Sequence, residues 1–94
     1  MSDLPPEELL KSTHRFPGKF VFKAIGQSGG EFADSVVAAV RESLSLDFDP
    51  PHELRQTPQG RHVSVTIEPW VEDARQALAV YQRIRELPGL VMLL

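Results

Sequence analysis

The chain contains no cysteine. That absence excludes a disulfide framework, thiol nucleophiles and thiolate-held zinc or iron–sulfur centres. Positive charge is not in excess either: 10 Lys and Arg stand against 13 Asp and Glu, a formal net charge of −3. No global field therefore draws the protein to nucleic acid or to an anionic membrane surface. Long apolar runs are missing, and the longest, such as Leu90 to Leu94, fall far short of the ~20 residues that cross a bilayer as a helix. Met1-Ser2-Asp3-Leu4 has no basic stretch leading into an apolar run, so no signal peptide is expected. With 94 residues there is room for one domain, whose folding buries roughly 60–65% of the unfolded chain's surface. The expectation is a small, soluble, cytoplasmic domain with a single core.

Residues 1–17 read as an N-terminal arm, flexible or loosely docked. Asp3-Leu4-Pro5-Pro6-Glu7-Glu8-Leu9-Leu10 has the proline and the acids of a first helical turn, and Pro17-Gly18 closes it. Residues 18–94 read as the domain. Phe20 to Ile25 alternates with apolar residues on both faces, the pattern of a central strand. Ser28-Gly29-Gly30-Glu31 matches a capping box, with Ser28 as N-cap and Glu31 reaching back. The period then changes to that of a helix, with Phe32, Ala33, Val36, Val37, Val40 and Leu44 on one face.

Pro50-Pro51 forbid both helix and central strand. His52 to Gln56 is a weak edge strand, and Thr57-Pro58-Gln59-Gly60 has hairpin-turn chemistry. From His62 to Glu68 the alternation is clean: Val63, Val65 and Ile67 inward, His62, Ser64 and Thr66 outward. A second helix is expected from about Val71 to Leu87, with Ala74, Ala77, Leu78, Tyr81 and Ile84 buried, ended by Pro88-Gly89. Leu90 to Leu94 is a last short strand. Strand, helix, strand, strand, helix, strand is the ferredoxin-like α+β arrangement. Two right-handed crossovers give a four-stranded antiparallel sheet of order 4-1-3-2, with both helices on one face and the other face open.

The segments Phe16-Pro17, Phe20-x-Phe22-Lys23-Ala24-Ile25-Gly26 and Gly60-x-His62-x-Ser64-Val65-Thr66-Ile67, with Tyr81 and the ending Val91-x-x-Leu94, resemble the YbeD-like family of uncharacterised bacterial proteins. The resemblance spans residues 16–94. His62 is a departure, since members often carry an aromatic residue near that position. The resemblance implies an ACT-like βαββαβ regulatory domain. It carries over no catalytic residue, and it links the family's genes with lipoate metabolism.

Two surfaces present chemistry. Gly26, Gln27, Ser28, Gly29 and Gly30 are candidate ligand-binding residues, with Lys23 nearby. Exposed amides and a helix N-terminus converge on such a turn, and the resemblance to ACT modules implies a small carboxylate ligand such as an amino acid or organic acid. The P-loop and dinucleotide glycine spacings are both missing. On the open sheet face, Lys23, His62, Ser64 and Thr66 form a candidate interaction face for a protein partner. Phe20 and Phe22 are expected to point into the core, which leaves that face without the stacking aromatics of RNA readers.

His14, His52 and His62 lie on separate elements, and Asp47-x-Asp49 beside two prolines reads as a turn. No metal site, cofactor or catalytic set is expected. The sequence thus points to a non-catalytic regulatory or binding domain that senses a small metabolite. The alternative is a protein-interaction adaptor working through the open face or the last strand. It would act as a monomer or weak homodimer, apart from nucleic acid and membrane.

Overall fold

The computed structural model describes residues 4–94. Its elements in chain order are α1 (Glu7–Thr13), β1 (Gly18–Lys19), β2 (Phe22–Gln27), α2 (Phe32–Ser43), β3 (His52–Gln56), β4 (His62–Ile67), β5 (Trp70–Val71), α3 (Ala74–Arg85) and β6 (Leu90–Leu93). The main sheet runs β3-β4-β2-β6 and is antiparallel throughout. This is the 4-1-3-2 order read from its other edge. A separate two-stranded ribbon joins β1 to β5.

The central position of β2 follows from its two apolar faces. Phe22 and Ala24 are buried beneath the helices, with Val65 and Ile67 of β4 alongside. Val36, Val37 and Val40 of α2 and Ala77, Val80 and Ile84 of α3 complete the core. Phe20 and Phe22 do point inward: Phe22 lies 4.9 Å from Tyr81 at 72° and Phe20 lies 4.8 Å from Phe22, the tilted geometries that aromatic quadrupoles favour. The hairpin turn forms as its residues dictate, with Gly60 N–H donating to Thr57 C=O at 2.9 Å and Gly60 at φ 72°.

Three elements depart from the sequence expectation. The first central strand begins two residues later, because Gly18–Lys19 are diverted into the ribbon with Trp70–Val71. It also runs on through Gly26 and Gln27, which pair with Val63 and His62. The same ribbon holds residues 70–71 extended, so the last helix begins at Ala74 rather than near Val71. Asp73 caps it, its Oδ1 accepting from Gln76 N–H at 2.9 Å.

The capping box at Ser28 does not form. Glu31 is the N-cap of α2 and makes no side-chain cap bond. The Ser28 hydroxyl instead donates to the Gly60 carbonyl of the hairpin turn. Ser28 N–H donates to Arg61 C=O at 3.1 Å, so the residue is held to the β3–β4 hairpin on both counts. The N-terminal segment carries α1, whose Leu10 is buried in the core, with Leu4 and Phe16 packed against it.

Candidate functional site

The glycine-rich turn opens into a shallow hollow of about 260 Å³ lined by Gln27 to Phe32 with Pro88 and Gly89. Within it Gln27, Ser28, Gly29 and Gly30 stand together. Gly26 serves packing instead. A Cβ there would run into the Phe32 ring, so the bare backbone is what lets Phe32 lie against β2. Lys23 stands at the far end of β2, roughly 13 Å from Gln27 at about 3.3 Å per residue. The structure therefore does not bring Lys23 to the glycine turn.

Lys23 belongs to the open face. Phe22 and Ala24 face the helices, so Lys23, Ile25 and Gln27 face away. Register places Thr66 between Lys23 and Glu53, and Ser64 between Ile25 and Arg55. Lys23, Glu53, Leu54, Arg55, Ser64 and Thr66 line one depression of about 510 Å³. His62 pairs with Gln27 at the glycine-turn end of the same face. Lys23, Ser64 and Thr66 thus converge and His62 stands aside. Sequence reading missed Glu53 and Arg55. Part of their signal was present, since a period of two puts both on one face of β3; that they stand opposite Thr66 and Ser64 is a matter of register.

The third surface is the outer edge of β6. Among the described residues no strand pairs with it. Val91, Met92 and Leu94 are about half exposed, and Met92 pairs with Ile25 on the open face. Leu94 and Lys23 exchange both main-chain hydrogen bonds, at 2.8 and 3.4 Å. Strand alternation then turns the N–H and C=O of Leu93 away from β2. Beside this edge lies a groove of about 310 Å³ walled by Leu4, Pro5, Tyr81 and Arg85. Burial pushes the Tyr81 phenol above its ordinary pKa. Sequence reading placed Tyr81 in the buried stripe; its ring does pack on the phenylalanines, while the residue also walls the groove.

The opposite edge differs in kind. β3 carries Glu53 and Arg55 and is flanked by Pro50, Pro51 and Pro58, the charges and prolines that keep an edge from pairing. Just before Pro50 and Pro51, Asp49 forms an ion pair with Arg41 at 2.6 Å. Among the described residues no group of three or more His, Asp or Glu converges, and no helix is long and apolar enough to cross a membrane.

Fold and surfaces together define an α+β domain of the ferredoxin-like class, with one sheet face open and one edge unpaired among the described residues. The chain belongs to the DUF493 family, described as "protein of unknown function", whose model matches residues 11–94. This is the uncharacterised, YbeD-like bacterial family that the sequence motifs resemble. It is 29% identical to the UPF0250 protein PM1928 of Pasteurella multocida, covering 95% of this chain and 99% of that protein. A UPF0250 protein of Shewanella loihica is 30% identical, covering 95% and 94%. The solution structure of protein HP0495 from H. pylori superposes with a TM-score of 0.66 at 17% identity, covering 99% of this chain and 98% of that one. That likeness concerns the fold.

Proposed function

We propose that this domain is a non-catalytic binding module that takes an extended segment of a partner polypeptide along β6. The β6 edge, unpaired among the described residues, carries this reading. Main-chain groups of Leu93 are aimed outward, and alternate side chains of an added strand would meet either the groove at Tyr81 or the apolar strip of Ile25, Met92 and Leu94. Such strand addition draws its affinity from the backbone ladder and its specificity from pockets for alternate side chains. The contrast with the charged, proline-flanked β3 edge supports a role for β6 in particular. A regulatory role in the cytoplasm accords with this reading.

Sensing of a metabolite at the glycine turn has less support. Gly26 is committed to packing, Ser28 to the hairpin, and Lys23 to another surface.

Retention of a partner from bacterial lysate should be lost in the Val91→Lys/Met92→Glu double variant while its circular dichroism stays unchanged. The captured partner should also slow amide exchange at Leu93 in the wild-type domain. A variant that still holds the partner, or a Leu93 amide that stays unprotected, overturns the reading.

A further inference from the structure

We infer that the polar half of the open face is a binding site for a small oxyanion, a carboxylate or phosphate, seated between Ser64 and Thr66 and reached by Lys23 from one side and Arg55 from the other. Neither hydroxyl makes a hydrogen bond to another described residue, although both residues are half-buried on a central strand. Neither cation has an ion-pair partner among the described residues. On the helical side, by contrast, Lys11 is paired with Glu7 and Arg83 with Glu42, each at 3.0 Å, and Arg41 with Asp49 at 2.6 Å. The chain has more acids than bases, yet these two bases stand open.

The register sets the geometry. Lys23 lies beside Thr66 and Arg55 beside Ser64, on the two strands that flank β4. Two strand spacings and a two-residue offset put their backbones roughly 12 Å apart, and both flexible arms extend toward the hydroxyls between them. An anion there would accept from two hydroxyls, a point-charge ammonium and a forked guanidinium, a charge-assisted set of donors. Glu53 flanks Thr66 from the side opposite Lys23. One acid against two bases leaves this depression positive on a negative molecule, and Glu53 weakens the hold on a dianion. The site shares no lining residue with the groove at Tyr81, although Lys23 neighbours Leu94 beside β6, and it does not require strand addition there.

The test is amide and side-chain chemical-shift titration with inorganic phosphate and, separately, succinate, each against sodium chloride at matched ionic strength. Saturable shifts at Ser64 and Thr66 with either anion, absent with chloride, are the expected result. Phosphate alone or succinate alone would assign which oxyanion the site takes. The Lys23→Gln/Arg55→Gln variant should weaken binding at least about tenfold, the factor that ~1.4 kcal/mol of lost contact produces. Glu53→Gln should tighten it severalfold. Shifts that track ionic strength alone overturn the inference, as do affinities untouched by these substitutions. Because Arg55 stands on β3, separated from β6 by β4 and β2, the single Arg55→Gln variant should weaken oxyanion binding and leave partner retention through β6 unchanged, which separates the two readings.

Discussion

At Gly26 the missing side chain is what lets the Phe32 ring lie on β2, since a built Cβ would collide with it. Gly26→Ala should therefore destabilise the fold by about 1–3 kcal/mol, the usual range for overpacking a core. Urea denaturation would measure it, and adding Phe32→Leu should recover part of the loss by making room. Tyr81 carries a second prediction. Burial raises its phenol pKa above 10.0, so folding favours the protonated, neutral form. Its contribution to stability is then full below the unfolded pKa and is lost as pH rises beyond it. Tyr81→Phe should flatten the alkaline loss of stability that sets in as pH rises above about 10, the ordinary phenol value. An unchanged slope would place the ring in a wetter setting. Neither role was legible from the residue alone: Gly26 looked like a loop glycine, and Tyr81 like core only.

Among the elements, α2 and α3 begin in different ways. Ser28 looked like a cap on spacing alone, but β2 continues through Gln27 and delivers Ser28 to the hairpin turn, where it bonds Gly60. Helix α3 has the true side-chain cap at Asp73. Asp73→Ala should cost ~1 kcal/mol, while Ser28→Ala should leave the melting of α2 unchanged and loosen the hairpin. Amide exchange of Gln76 against that of Thr57 and Gly60 separates the two. The helical stripes themselves were legible, because a period of 3.6 needs no tertiary information. The start of α3 was not, because a ribbon between residues 18–19 and 70–71 joins segments that sequence spacing cannot bring together.

For the whole molecule, the N-terminal segment bears on how the domain is bounded. Leu10 is buried against the core that α3 covers. Leu10→Ala should lower stability by about 2–5 kcal/mol if α1 is part of the cooperative unit. A change within about 0.5 kcal/mol, the range of surface substitutions, would show the arm to be dispensable. Calorimetry of the two proteins decides. By itself the sequence determined the ferredoxin-like order, the helical stripes, the central strand and the aromatics of the core. All of these follow from local periodicity and from glycine and proline chemistry within one segment. Alternation already put Lys23 with Ser64 and Thr66 on the open face; tertiary structure alone added Arg55 to them and removed Lys23 from the glycine turn. It alone decided that Tyr81 walls a groove beside β6, and that one sheet edge is guarded and the other unpaired among the described residues. Those are facts of register and strand order, and register pairs residues distant in sequence through hydrogen bonds that no local pattern encodes.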